Sequence, residues 1–123
     1  MILSEGRFLR LPDETIVVRG GEMLDGDLWK SAHKAHRKLG RPGISVFGAE
    51  GLSAKLLLEV LGDRLPHDRV RLSTAGRIRA SGFEVEATLA DLHQTIWFGD
   101  SYTLATFDAL REAFGPPIHR RDL

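Results

Sequence analysis

The chain of 123 residues contains no cysteine. Disulfide bonds and cysteine-ligated zinc sites are therefore excluded, and a reducing compartment is the expected environment. Long hydrophobic runs are also missing, which predicts that no segment spans a membrane. Residues 1–7 lack the charged-then-apolar order of a signal peptide. Together these absences predict a cytoplasmic protein with no membrane association.

An excess of charge of either sign is absent as well, since 17 basic residues balance 17 acidic ones. A neutral chain has no overall field that would attract nucleic acid, which disfavours a non-specific DNA-binding protein. The stretch 64–79 departs from this balance, because it carries five arginines and one histidine. This stretch is either a solvated arginine face or a local patch for an anionic partner.

The length and composition bound the architecture. A chain that is 42% hydrophobic and 28% charged is typical of a soluble globular protein. At this length one domain is expected over residues 1–123, with 1–12 and 116–123 as extended terminal segments.

Hydrophobic spacing and the positions of glycine and proline predict the element order β-α-β-α-β-α-β-β-α. Strands are predicted at 15–19, 43–47, 69–72, 83–88 and 93–98. Helices are predicted at 27–39, from a Ser53 cap to Gly62, at 75–81 and at 103–114. This order predicts an α+β fold, in which a single mostly antiparallel sheet of about five strands packs its helices mainly on one face.

The last two predicted strands carry polar side chains on one side only. Alternate side chains of a strand point to opposite faces, and residues 89–92 are placed to close a hairpin between these strands. The hairpin is therefore predicted to gather carboxylates, an imidazole, hydroxyls and an indole on one open sheet face. The residues concerned are Glu84, Glu86, Thr88, His93, Thr95 and Trp97.

This set of side chains predicts an acid/base ribonuclease site. His93 has an ordinary pKa of about 6.5, so it can take a proton from a 2′-hydroxyl or give one to the leaving oxygen. Glu84 or Glu86 would assist as the second catalytic group. Substrate binding is assigned to Arg69, Arg71 and Arg77 for phosphate, to Thr95, and to Trp97 for stacking on a base. No cofactor is expected for this chemistry.

A non-enzymatic interpretation stands beside the first. The same sheet face can simply be solvated, with its glutamates paired to arginines across strands. An exposed aromatic and mixed-charge surface also suits a protein-binding module such as an antitoxin, an inhibitor or an adaptor. Trp29 and Trp97 would then be exposed anchors for a cognate protein partner.

Two other patterns carry weaker predictions. His33 and His36 lie at i and i+3 of the first helix, but no third ligand accompanies them and the surrounding lysines repel cations, so no metal site is predicted. Residues 48–55 form a glycine-bearing turn between a strand and a helix. This turn lacks the ending of a P-loop and is interpreted as structural.

Arg19, Ser45 and Glu84 or Glu86 occur in this order, each in or beside a predicted strand. The order resembles the arginine, serine, glutamate pattern of the ADP-ribosyltransferase superfamily. The resemblance implies that Arg19 and Ser45 position NAD and that Glu86, the last residue of a Glu-x-Glu, supports transfer. Residues 44–47 lack the usual Ser-Thr-Ser of that pattern, so NAD-dependent transfer is kept as an alternative.

The chain also looks like small bacterial proteins that share elements resembling residues 16–21, 43–48, 82–85 and 93–97. This resemblance implies a compact bacterial protein of the toxin–antitoxin type. The expected partners are then RNA and a cognate protein. Whether the chain is an enzyme, and its oligomeric state, are left open at this point.

Overall fold

The computed structural model describes residues 9–88, 92–99 and 102–123. Its strands are β1 (Leu9–Arg10), β2 (Ile16–Gly20), β3 (Gly43–Gly48), β4 (Arg69–Thr74), β5 (Glu84–Ala87), β6 (His93–Trp97) and β7 (Ile118–His119). Its α-helices are α1 (Asp25–Leu39), α2 (Ala54–Leu61), α3 (Ala75–Ala80) and α4 (Leu104–Glu112). Short 3-10 helices span Gly62–Arg64 and Arg120–Asp122.

The helices begin and end at residues whose chemistry suits those positions. The side chains of Ser53, Thr74 and Thr103 accept a backbone N–H of the first turn in α2, α3 and α4. These hydroxyls satisfy donors that the helix itself leaves unpaired. Helix α1 ends at Gly40, whose φ of 77° lies in the left-handed region that glycine adopts without strain.

The seven strands in the described residues form one antiparallel sheet in the order β1-β5-β6-β3-β2-β4-β7. The α+β fold and the antiparallel sheet predicted from the sequence are confirmed. The strands missed by the prediction are β1 and β7, each two residues long at an edge of the sheet. Two residues are too few for an alternating pattern to stand out.

Most helices pack on one face of the sheet, as predicted. Helices α1, α3 and α4 share a core with β2, β3, β5 and β6, built on residues such as Val17, Leu28, Ile44, Ile78, Ile96 and Phe107. Helix α2 lies on the opposite face, where Leu57, Leu58 and Leu61 pack with Val18 and Val70. The second face is therefore partly covered rather than open along its whole width.

The pairing between β2 and β3 stops early. Strand β3 pairs with β6 over five residues, and β2 pairs with β4 over five residues. Between β2 and β3, however, only Val17 with Gly48 and Val18 with Phe47 are paired. The two strands separate beyond these pairs, and helix α1 borders the gap. We call this gap, at Arg19 and Gly20 on one side and Ser45 on the other, the strand opening.

None of the helices in the described part of the chain has the length and apolar character to cross a membrane.

The packing of α4 can be tested by substitution. Phe107 is 1% exposed in the core, whereas Leu104 of the same helix is 63% exposed. Phe107→Ala is expected to lower the free energy of unfolding by about 3–5 kcal/mol, because it removes buried apolar surface and leaves a cavity. The matched control Leu104→Ala should change it by no more than about 0.5 kcal/mol. Equal effects in chemical denaturation would contradict this packing.

Candidate functional site

A chain of hydrogen bonds joins four polar side chains on one face of the central strands. Ser45 Oγ lies 2.6 Å from His93 Nε2. The other ring nitrogen, Nδ1, lies 2.7 Å from Thr88 Oγ1, which in turn lies 2.8 Å from Thr95 Oγ1. The imidazole is therefore held at both nitrogens, with a serine on one side and a threonine pair on the other.

The sheet register brings these residues together. Ser45 of β3 pairs with Thr95 of β6, and Phe47 pairs with His93. Thr88, just after β5, donates its N–H to the His93 carbonyl. These pairings place the four hydroxyl and imidazole side chains on the same face, as alternation requires. Within the hairpin, Glu84 pairs with Trp97 and Glu86 pairs with Thr95, so the predicted sharing of one face is confirmed.

The backbone before His93 is constrained. Leu92 has a φ of 64°, in a region that side chains other than those of glycine and asparagine rarely adopt. Its carbonyl accepts the N–H of Gly48, and the ring of Phe47 meets the His93 ring edge-on at 6.1 Å. Unfavourable dihedrals persist where surrounding contacts over-determine them, so the direction of the imidazole is fixed by its neighbours.

Ser45 and His93 open into a cavity of about 250 Å³ that we call the histidine pocket. The residues that define it are Ser31, Lys34, Lys38, Ser45, His93 and Thr95. Burial lowers the pKa of His93 below its ordinary value, and the positive charges of Lys34 and Lys38 lower it further. The histidine is therefore neutral near pH 7, which is the form able to accept a proton.

The neutral ring has a tautomer suited to general base catalysis. If Nδ1 carries the proton, it donates to Thr88 Oγ1, Thr88 donates to Thr95, and Nε2 is left to accept the Ser45 hydroxyl proton. A hydroxyl hydrogen-bonded to a neutral imidazole oriented by a third group is the arrangement of an activated nucleophile. Here a threonine takes the place that a carboxylate has in the Ser-His-Asp triad.

The main chain of Ser45 is held by two side chains. Its N–H donates to Ser31 Oγ of α1 at 3.0 Å, and its carbonyl accepts Arg19 Nη1 at 2.5 Å. Burial lowers the pKa of Arg19, and the charge of Asp27 partly opposes this effect. These contacts fix Ser45 between α1 and β2, so a cation lies beside the serine.

The two predicted catalytic glutamates lie on the same sheet face as His93 but bind other partners. Glu84 forms ion pairs with Arg79 at 2.5 Å and with Arg10 at 3.0 Å. Burial opposes ionisation of this carboxyl, but the hydrogen bonds from Arg79, the Val85 N–H and Arg10, together with the charge of Arg79, outweigh it, so the pKa of Glu84 is lowered. Glu86 Oε1 accepts the indole N–H of Trp97 at 2.7 Å. The structure joins neither carboxylate to His93.

The predicted substrate-binding residues are spread over the molecule. The registers place His93, Phe47, Val18 and Leu72 on one face, so the adjacent Arg69 and Arg71 lie on the other. Arg71 donates to the carbonyls of Glu22, Arg111 and Gly115. Arg77 is exposed on α3.

Thr95 and Trp97 are more covered than predicted. Thr95 is 1% exposed, although it borders the histidine pocket. The expectation that Trp97 is exposed is wrong, because it is 4% exposed and the Arg41 guanidinium lies 4.8 Å from its ring. Helix α1 and the loop that follows it cover this part of the face, which alternation within the hairpin does not predict.

The alternative NAD-site residues are partly brought together. Arg19 contacts Ser45 directly, whereas Glu86 lies on β5, separated from β3 by β6. His33 donates to or accepts from the Tyr102 hydroxyl at 2.7 Å. In residues 9–88, 92–99 and 102–123 no group of three or more histidine, aspartate or glutamate side chains is arranged to hold a metal ion.

Sequence reasoning missed the lysines and serine that α1 contributes. Lys34, Lys38 and Ser31 belong to the charged helix that carries the two histidines. From the sequence, its lysines serve only as an argument against a metal site, and Ser31 is assigned no role. Thr88 was placed on the correct face but without a role. The signal for this site was the helical spacing of 31, 34 and 38, which puts them on one side of α1.

Comparisons with known proteins give no relative for this chain. No family model matches it, and no curated protein or solved structure matches it significantly. The resemblances to ADP-ribosyltransferases and to toxin–antitoxin proteins therefore stay predictions.

The lowered pKa of His93 makes the stability of the fold depend on pH. Since the folded protein binds this proton more weakly than the unfolded chain, the contribution is present above the ordinary value of 6.5 and is lost as pH falls through the lower folded value. We therefore expect wild type to lose more stability than His93→Gln between pH 7.5 and pH 5, measured by chemical denaturation. His36→Gln, at an exposed site on α1, is the control and should follow wild type. Parallel curves for wild type and His93→Gln would contradict this linkage.

Proposed function

We propose that the protein cleaves phosphodiester bonds of RNA, with His93 as the general base and Ser45 as the hydroxyl that it activates. The observation that carries this proposal is the 2.6 Å contact of Ser45 Oγ with His93 Nε2 beside Lys34 and Lys38. A neutral base, a hydroxyl and two cations in one pocket are the groups that such a displacement requires.

The proposed reaction has two steps, attack by Ser45 and then hydrolysis. Ser45 Oγ forms a bond to phosphorus, its proton passes to His93 Nε2, and the bond from phosphorus to the 5′ oxygen breaks as His93 returns the proton to that oxygen. Water then attacks the phosphoserine ester and gives a proton to His93, which restores the Ser45 hydroxyl. The Nδ1–H donated to Thr88 keeps the imidazole directed at Ser45 throughout.

The charge distribution on α1 favours a polyanionic substrate. Four cationic residues of this helix, Lys30, Lys34, Arg37 and Lys38, are exposed. Lys34 and Lys38 face the histidine pocket, where they stabilise the negative charge that develops on the phosphate oxygens. The chain is neutral overall, so this local cluster provides the attraction that its net charge does not.

Single substitutions at Ser45 and His93 test the proposal. With a fluorogenic RNA oligonucleotide, His93→Ala and Ser45→Ala are each expected to lower kcat/KM by about 10²–10⁴-fold, since each removes one half of the proton transfer. The wild-type rate should decrease at acidic pH as His93 becomes protonated. The midpoint of this decrease should lie below pH 6.5, because the pKa of His93 is lowered. The controls are His36→Ala and Ser81→Ala, both at exposed positions, and they should retain wild-type rates.

Either the Ser45 hydroxyl or the 2′-hydroxyl of the RNA could attack phosphorus, and a substrate with a blocked 2′-hydroxyl distinguishes them. RNA with a 2′-O-methyl group at the cleaved nucleotide should still react if Ser45 is the nucleophile. Mass spectrometry should then detect the RNA fragment joined to Ser45 Oγ through its 3′ phosphate. Loss of cleavage with this substrate would show that Ser45 is not the nucleophile. Absence of RNA cleavage by the wild-type protein, or equal rates in wild type and His93→Ala, would remove the proposed function.

A second candidate function, binding of a partner protein, is favoured by a separate surface. Trp29 of α1 is 49% exposed, and its ring centroid lies 5.0 Å from that of Tyr102. Exposed tryptophans in aromatic clusters are frequent anchors of protein interfaces. Trp97, the other predicted anchor, is buried and does not form part of this surface.

Trp29→Ala is the test of this surface. If a protein partner co-purifies with the chain, the substitution should weaken the complex by about 2 kcal/mol or more in calorimetric titration, because it removes a large anchor. Leu56→Ala, at a 49% exposed position on α2, is the control and should leave the affinity unchanged. Equal affinity of the Trp29→Ala protein would exclude this surface as the interface.

A further inference from the structure

At the strand opening, side chains rather than the backbone of β2 form the hydrogen bonds of the Ser45 main chain. Continuing the register of Val17 with Gly48 and Val18 with Phe47 would place Gly20 opposite Ser45. Instead, the Ser45 N–H donates to Ser31 Oγ and its carbonyl accepts Arg19 Nη1. The polar main-chain groups of β3 are therefore satisfied while the two strands stand apart, which leaves space between them.

That space is a cavity of about 430 Å³, large enough for a small organic ligand. Its cationic wall carries Arg19, Lys30, Lys34 and Arg64. Its apolar wall carries Val18, Phe47 and Leu65. A ligand that fits both walls has a strongly anionic group at one end and a flat or apolar group at the other.

The cations of this cavity are not neutralised by ion pairs. Within the described ranges no carboxylate forms an ion pair with Arg19, Lys30, Lys34 or Arg64. Asp27 is the acidic residue in the cavity wall. By contrast, Arg10, Arg79 and Arg111 elsewhere in the protein each contact a carboxylate. Arg19 is half-buried and donates to the Ser45 carbonyl, and the charge of Asp27 offsets only part of the cost of its burial, so a bound anion would compensate it further.

Gly20 of β2 allows the imidazole of His67 to lie close to the backbone of the strand. A Cβ atom at Gly20 would overlap the His67 imidazole and lie 2.8 Å from Leu65 Cδ1. Glycine at this position therefore allows both side chains to pack directly against the strand. His67 is exposed, lies in the cavity wall and adds a donor beside the apolar surface.

We propose that the strand opening is a binding site for a nucleoside phosphomonoester, with the phosphate at Arg19, Lys30, Lys34 and Arg64 and the base against Phe47 and Leu65. A phosphate dianion suits a cavity wall that carries several N–H donors, and the volume suits one nucleotide. The site adjoins the histidine pocket through Ser31, Lys34 and Ser45, which border both. Its binding does not depend on the proposed cleavage.

Isothermal titration with 5′-AMP and with adenosine tests this site directly. Wild type should bind 5′-AMP, and adenosine should bind at least about tenfold more weakly because it lacks the charge-assisted contacts. The double variant Lys30→Ala/Arg64→Ala should weaken 5′-AMP binding by a similar factor. Both substituted residues are exposed, and circular dichroism with thermal melting will establish that the variant is folded. Lys55→Ala, an exposed lysine of α2 outside the opening, is the control and should bind as wild type does.

Two sources of the ligand can be distinguished in the same assay. If the phosphate belongs to an RNA terminus, a short oligonucleotide with a 5′-phosphate should bind more tightly to His93→Ala protein than both its 5′-hydroxyl counterpart and 5′-AMP. If it belongs to a free nucleotide, 5′-AMP should bind at least as tightly as either oligonucleotide. Equal affinity for 5′-AMP and adenosine, no binding of 5′-AMP at millimolar concentration, or equal weakening by Lys55→Ala would overturn the proposal.

Discussion

The separation of β2 from β3, and the cavities beside it, depend on which groups form hydrogen bonds with the main chain of Ser45. In an uninterrupted ladder its N–H and carbonyl would pair with β2 and the centre of the sheet would be closed. Because Ser31 and Arg19 supply those hydrogen bonds, β2 and β3 separate without leaving buried polar groups unpaired. The same residue presents its hydroxyl to His93 on the neighbouring strand. The contacts of Ser45 therefore determine both the separation of β2 from β3 and the position of the hydroxyl beside His93.

Electrostatics reinforce this geometry. Lys34 and Lys38 approach His93 from α1, and together with burial they favour the neutral imidazole. The carboxylates of the hairpin are engaged at other places, Glu84 by arginines and Glu86 by the indole of Trp97. The charges that act on the histidine are therefore those of Lys34 and Lys38, and they favour its neutral form.

Local patterns in the sequence account for the elements and their faces. Caps at Ser53, Thr74 and Thr103 and the stop at Gly40 determine the helix ends, and alternation in 83–98 gives the correct face for each hairpin side chain. Two features depended on tertiary placement and could not be read from such patterns. Ser45 and His93 are 48 positions apart, and the cover over Trp97 comes from the segment between α1 and β3.

Arg79 illustrates why partners are harder to predict than elements. It contacts Glu84 five positions later and Asp13 in a distant turn, so no helical or strand spacing relates the three charges. The predicted site included Glu84 because alternation placed it on the same face as His93. Its ion pair with Arg79 forms because α3 packs beside β5. Face assignment thus follows from local geometry, and pairing follows from topology.

The short junction between β2 and β3 has a mechanical consequence. It divides the sheet into a half with β1, β5, β6 and β3 and a half with β2, β4 and β7, connected by two residue pairs. Rotation of one half against the other strains few inter-strand hydrogen bonds at this junction, while each half keeps the hydrogen bonds between its own strands. A molecule bound in the strand opening would contact both halves, so its binding would be coupled to the twist of the sheet.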